Sequence, residues 1–266
     1  MRLRDRTAIV TGASLGIGRE TARLLAKAGA NVTLASRNAE LLGQLAEELQ
    51  ARGGRSLVVP TDVTDSEAVE AMVKRTAEEF GSVDILVNNA GLGMYARLAE
   101  DSMDNIRYLF EVNVFGALHC IRAVVPYMKE QRRGQIINVS SLAGKIAAPY
   151  EGAYAATKFA LTAMSDALRL ELLDYGIRVI TVYPGPIETP FRENAIKEVD
   201  VPPASGSLRR IPAVRVAEAI VKAARAERSE AYVTRFNRLV VAVKGVSPGF
   251  INWGMRRFYL RGRRRA

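Results

Sequence analysis

Short β-branched apolar runs alternate along this chain with longer stretches in which apolar residues recur every three or four positions. The short runs predict strands over residues 8–11, 31–35, 56–60, 85–88, 135–140 and 178–183, and a last one over 231–234. The longer stretches predict helices over 18–29, 39–52, 66–80, 103–130, 153–175 and 213–227. Strand, helix, strand in that rhythm makes parallel pairs, because each helix carries the chain back across the sheet. The expected fold class is therefore α/β, a doubly wound parallel sheet with helices on both faces. No internal repeat or long linker interrupts the alternation, and 266 residues suffice for a full core, so one domain is expected.

The first strand runs directly into a cluster of glycines, Thr11-Gly12-Ala13-Ser14-Leu15-Gly16-Ile17-Gly18, and then into a helical pattern. In that order, unpaired backbone N–H groups and the positive end of the helix dipole face the turn, which suits a pyrophosphate. The same glycines would also serve close strand-helix packing alone. Their spacing, Gly-x-x-x-Gly-x-Gly, departs from the common Gly-x-Gly-x-x-Gly fingerprint. The second strand ends in Ser36 and Arg37, with no carboxylate before Glu40. A carboxylate here holds a ribose 2′-hydroxyl, whereas a guanidinium binds a 2′-phosphate through charge-assisted bonds. NADP(H) is the expected cofactor; NAD(H) is the alternative if Arg37 is only a solvated loop charge.

Tyr154 and Lys158 stand four apart on one face of a predicted helix, and Ser141 closes the strand thirteen residues before the tyrosine. A cation beside a phenol favours the phenolate, so the expected shift of Tyr154 is downward from about 10. A serine hydroxyl beside the phenol is suited to bonding a substrate oxygen. The group fits proton transfer to or from a carbonyl or hydroxyl oxygen.

With these motifs assembled, the chain resembles the short-chain dehydrogenase/reductase family over residues 3–232. The matching segments run in the family's order: Thr11-Gly12-x-x-x-Gly16-Ile17-Gly18, Asp62-Val63, Asn88-Asn89-Ala90-Gly91, Asn113, Ser140-Ser141, Tyr154-x-x-x-Lys158 and Pro184-Gly185-Pro186-Ile187-x-Thr189. The resemblance implies a Rossmann-type domain that interconverts a carbonyl and an alcohol by hydride transfer. It implies that Asp62 and Val63 flank the adenine, and that Asn89, Ala90 and Gly91 close the cofactor cleft. By the same resemblance Asn113 steadies a water relay, Ser141 orients the substrate and Tyr154 is the acid/base. Lys158 would hold the nicotinamide ribose, and Pro184, Gly185, Ile187 and Thr189 would lie along the nicotinamide. Many NADP-dependent members carry a basic residue where this chain has Leu15, so cofactor preference rests on Arg37, helped by Ser14 or Ser36. A homodimer or homotetramer, joined through the helices of Asn113 and Tyr154, is also implied. A cofactor-binding regulator without turnover is the competing class; loss of Tyr154 or Lys158 would mark it, and both are present.

Composition narrows the setting. His119 and Cys120 are the only residues of their kinds, which argues against a disulfide, a histidine-rich metal site or a Ser-His-Asp triad. Residues 1–6 are charged and lead straight into the first strand, and no run of 18 uninterrupted apolar residues occurs, so a cytoplasmic setting is expected. The net charge of +10 is uneven: residues 231–266 hold nine basic residues and no carboxylate, which leaves +1 for the remainder (10 − 9). Apolar and aromatic side chains share that segment with the arginines. It reads as a packed C-terminal helix with a disordered end, as a peripheral membrane contact or as a lid on an apolar substrate; no nucleic-acid motif accompanies it. Residues 1–234 are thus the expected catalytic domain, with a mobile substrate flap near 188–210 lined by Phe191 and Ile196. Residues 235–266 are an extension of it. A lipophilic carbonyl or alcohol is the expected substrate.

Overall fold

β1 (Thr7–Thr11) is buried along its whole length and leads through the glycine turn into α1 (Gly16–Lys27). Alternation continues with β2 (Asn31–Ser36), α2 (Ala39–Ala51), β3 (Ser56–Pro60), α3 (Ser66–Phe80) and β4 (Ile85–Asn88). After the short β5 (Met94–Tyr95) come α4 (Met103–Phe110), α5 (Gly116–Glu130), β6 (Gly134–Val139), α6 (Gly152–Glu171) and β7 (Ile177–Tyr183). Then follow the two-residue strands β8 (Ile187–Glu188), β9 (Ile196–Lys197) and β10 (Ile211–Pro212). α7 (Ala213–Ala226), β11 (Glu230–Tyr232), α8 (Arg235–Val246) and α9 (Pro248–Arg263) complete the chain. This computed structural model describes residues 1–199 and 210–263, with side chains as far as Arg257. The middle of the expected flap, including Pro202, Pro203 and Gly206, lies outside the described residues, as do Arg264 and Arg265.

Seven strands form one parallel sheet in the order β11-β7-β6-β4-β1-β2-β3. The order reverses beside β1, and the C-terminal strand ends open into a crevice there, where doubly wound sheets bind ligands. Successive residues of a strand point to opposite faces, so the buried strands feed two cores. Ala8 and Val10 join Leu25 of α1, Leu45 of α2 and Ile220 of α7, while Ile9 joins Met72 of α3 and Ile121 of α5.

At the opposite, N-terminal edge of the sheet Asp84 is almost wholly buried. It accepts from Thr7 N at 3.0 Å, Arg6 Nη1 at 3.1 Å, Arg133 Nε at 2.9 Å and Ser82 Oγ at 2.9 Å. Burial alone raises a carboxyl pKa, but these four partners outweigh it and hold Asp84 below the ordinary carboxylate range.

The helix expected over 103–130 is interrupted. Five residues, Glu111–Phe115, form a π-turn between α4 and α5. Such a turn inserts an extra residue and re-aims side chains. By length and composition the run Met103–Glu130 is apolar enough to cross a membrane. Here Leu109, Ile121 and Val124 are buried in the fold.

Candidate active site

Ser141 follows the last residues of β6, whose end is tied to β7 by Ser140 N on Val182 O at 2.9 Å and by Leu142 N on Pro184 O at 2.8 Å. β6 and α6 are locked together beside it. Ser140 Oγ and Thr162 Oγ1 both donate to the Lys158 carbonyl, at 3.1 and 2.9 Å, which fixes the helix turn that carries Tyr154 and Lys158. The Ser141 hydroxyl, which accepts from Ala143 N at 3.0 Å, lies near enough to the Tyr154 phenol to favour its ionised form. Lys158 Nζ reaches across to donate to Val139 O at 3.1 Å and lies 5.8 Å from the centroid of the Tyr154 ring.

Asn113 sits on the π-turn and is buried. Its Oδ1 accepts from Leu92 N at 2.7 Å, while Nδ2 donates to Leu92 O at 2.8 Å and to Thr157 Oγ1 at 3.0 Å. Both amide hydrogens are used, so this side chain clamps the loop after β4 onto α6. Thr157, immediately before Lys158, is a site residue that the motif does not flag. Gly91 keeps the space between them open: a Cβ there would lie 3.2 Å from Asn113 Oδ1 and 3.4 Å from Lys158 Nζ.

The protonation states differ from the expectation for the pair. Burial pushes the Tyr154 phenol above its ordinary value; the Ser141 hydroxyl opposes the rise, and the nearby Glu151 and Tyr95 add to it. The ammonium of Lys158 does not reverse this, because it too is desolvated and pushed down to about 8. The phenol is therefore held in its proton-bearing form. This corrects the downward shift read from spacing alone.

The glycine turn forms a cradle. Gly12 and Gly16 adopt φ of +63° and +56°, values at which a side chain is strained, and a Cβ at Gly18 would overlap the Gly12 carbonyl. Leu15, exposed at the N-cap of α1, provides no side-chain cap, so the first-turn N–H groups near Ile17 have no side-chain acceptor. Thr11, the strand's last residue, accepts from Asn89 N and Ala90 N, both at 3.0 Å, while Asn89 Nδ2 donates to Thr11 O at 2.9 Å. This cradle fits a dinucleotide pyrophosphate at the helix N-terminus.

At the ribose end Arg37 is largely exposed. Its Nη1 donates to Tyr108 Oη at 3.2 Å and lies 3.9 Å from Asp62 Oδ2. Ser36 Oγ accepts from Asn38 N at 3.3 Å, and Ser14 is half-buried in the turn. Asp62 Oδ1 accepts from the Thr64 backbone and hydroxyl, and the Val63 carbonyl faces His119 Nδ1 at 3.1 Å. Tyr108, 71 residues from Arg37, gives no signal in the sequence. His119 meets this end through the Val63 carbonyl, while the neighbouring Cys120 is buried in the core, where burial pushes its thiol up to about 12.

On the substrate side the described part of the flap is pinned. β9 pairs with β5, with Ile196 N on Gly93 O and Glu198 N on Tyr95 O, both at 3.0 Å; β8 pairs with β10. Its described ends are thus anchored by strand pairing, and the middle of the expected flap lies outside the described residues. Thr189 caps the turn Pro190–Arg192 and brings its methyl toward Gly16, while Gly185 lies against Asn237 of α8. The Phe191 ring stands 5.8 Å from Tyr154 at 59°. Met94, Leu109, Ala153 and Ile196 complete an apolar patch around the phenol.

The profile of the short chain dehydrogenase family matches residues 6–200, and the chain belongs to that family of oxidoreductases. It is 38% identical over 200 residues to dehydrogenase/reductase SDR family member 7B of Rattus norvegicus. That match covers 73% of this chain and 62% of the rat protein. The structure is similar to a short chain dehydrogenase/reductase from Burkholderia phymatum in complex with NAD, with a TM-score of 0.84 and 26% identity. The match covers 94% of this chain and 96% of that one. It is also similar to an alcohol dehydrogenase from the archaeon Thermococcus sibiricus complexed with 5-hydroxy-NADP, with a TM-score of 0.75 and 30% identity. Here 85% and 95% of the two chains are covered.

Proposed function

We propose that this protein is an NADP(H)-dependent oxidoreductase that interconverts a lipophilic carbonyl compound and its alcohol. The observation that carries the reading is the meeting of Ser141, Tyr154 and Lys158 from β6 and α6, locked by Asn113. In the reducing direction the buried phenol gives its proton to the substrate oxygen as negative charge develops, and Ser141 donates a second bond to that oxygen. In the oxidising direction Tyr154 takes the proton back from the alcohol. Gly12 to Gly18 would hold the pyrophosphate, Asp62 and Val63 the adenine, and Lys158 the nicotinamide ribose; Asn89 to Gly91 and Pro184 to Thr189 would lie along the cofactor. When bound, the nicotinamide supplies or accepts the hydride.

The exposed fork of Arg37 supports the 2′-phosphate preference, since its contacts to Tyr108 and Asp62 leave donors free at the lip of the cleft. The apolar patch around Tyr154 supports a lipophilic substrate. Exposed Phe115, Phe159 and Leu170 on the π-turn and α6 support association of two or four copies through those helices. A cytoplasmic setting belongs to the same reading.

The test is Tyr154→Phe, assayed with NADPH against a panel of apolar aldehydes and ketones. Turnover should fall by about 10² to 10⁴ while NADPH still binds by fluorescence titration. Wild-type protein that binds NADPH but reduces nothing on the panel would favour the regulator instead.

A further inference from the structure

The C-terminal helices present a surface that the catalytic reading does not use. In α8 the spacing of Phe236, Leu239, Val243 and Val246 places all four along one stripe, while Asn237 and Lys244 turn toward the fold. Asn237 is buried against Gly185, and Lys244 Nζ donates to the Lys145 carbonyl while lying over the Phe159 ring. Most of the outer stripe is bare: Phe236 and Leu239 are each 60% exposed and Val246 is 89% exposed at the turn into α9, with Val243 half-buried between them. α9 packs on α8 and adds Phe250 and Trp253, whose rings stack 6.0 Å apart with Trp253 58% exposed.

The charges beside this stripe are all of one sign. Arg235, Arg238, Arg256 and Arg257 are exposed, Arg257 lies over the Trp253 ring, and no carboxylate occurs from residue 231 to the end. A second copy set against the same face would bring two carboxylate-free arginine clusters together, which is repulsive. A nucleic acid would match the charge but give Leu239 and Val246 no hydrocarbon to enter. An anionic bilayer matches both, with lipid phosphates and carboxylates for the arginines and acyl chains for the apolar stripe.

We infer that α8 and α9 form a docking surface for an anionic membrane, one that seats apolar side chains among the acyl chains. The surface is tied to the catalytic loop. Asn237 packs against Gly185, and Lys244 donates to the carbonyl of Lys145, four residues past Ser141. A docked molecule therefore keeps its substrate loop next to the bilayer, where a lipophilic substrate is dissolved. Docking itself does not depend on the proposed chemistry.

Trp253, the only tryptophan, makes the test direct. The full-length protein is titrated with phosphatidylcholine vesicles with and without phosphatidylserine, and Trp253 emission is followed. A blue shift with the anionic vesicles, quenched by brominated acyl chains, is the expected result. Arg235→Gln with Arg238→Gln should weaken partitioning by about tenfold or more, as each cation near the surface contributes separately. Leu239→Asp with Val246→Asp should abolish the shift, with NADPH binding retained as the check on folding. No shift with either vesicle overturns the inference, as does an equal shift with phosphatidylcholine alone. A lipid-free, concentration-dependent shift with doubled mass would assign the face to a second copy. A shift with an oligoribonucleotide and none with vesicles would assign it to nucleic acid; either result overturns the membrane assignment.

Discussion

At the N-terminal edge of the sheet Asp84 is buried with four donors around it; at the C-terminal edge Tyr154 and Lys158 are buried with far less support. Lys158 offers three N–H donors and, among the described residues, has one carbonyl, that of Val139, to receive them. The same desolvation acts at both ends, yet the outcomes differ. Asp84 is compensated and keeps its charge, while Tyr154 is held neutral and Lys158 is pushed down to about 8. A compensated charge knits strands together, whereas a desolvated lysine with little support is brought toward losing its proton near pH 8. One sheet thus carries structure at one edge and the proposed chemistry at the other.

Substitutions at each end can break this contrast. The largest expected effect is at the chemical end. Lys158→Met should lower turnover by about 10² or more, while stability at pH 7 stays the same or rises by about 1 kcal/mol, because an ammonium that resists burial is gone. The sign is checked by pH. The folded value of about 8 lies below the ordinary 10.5, so wild-type stability should rise between pH 8 and 10.5 as the proton leaves, and the variant should lack that rise. Urea unfolding across that range measures both.

Asp84→Ala should do the reverse, costing about 2–3 kcal/mol of unfolding free energy by orphaning the Thr7 N–H and two guanidinium groups. Remaining folded protein should keep its kcat. Because the Asp84 pKa is depressed, its contribution is complete above the ordinary carboxylate range and vanishes as pH falls through the lowered value. Wild type should therefore lose in acid an increment that the variant never had. A kcat loss as large as that of Lys158→Met would dissolve the distinction between the two edges.

The smallest effect is the most selective. Arg37→Asp at the exposed lip of the chemical edge should weaken NADPH by about tenfold to a hundredfold and NADH far less, since one charge-assisted contact carries the difference. Equal losses in parallel fluorescence titrations would place the 2′-phosphate elsewhere.

Much of this was written in local pattern. Runs such as Ala8-Ile9-Val10 and Ile85-Leu86-Val87 announce buried parallel strands, and the spacing of Tyr154 and Lys158 places them on one helix face, because both signals repeat within a few residues. The two-residue strands β5, β8, β9 and β10 were not legible, since a pair that short has no period. The π-turn at Asn113 was hidden in a continuous apolar run.

The sequence alone determined the alternation of strands and helices, the glycine turn and the order of the family motifs, all properties of neighbours along the chain. Tertiary structure decided which distant groups meet. It set Ser141 against Tyr154, Asn113 against Leu92 and Thr157 and Arg37 against Tyr108, and it left Phe236, Leu239 and Val246 of α8 exposed. It also reversed the expected shift of Tyr154. Spacing counts the cation four residues away, but a pKa answers to every group that removes water, and those groups are assembled only when the sheet closes.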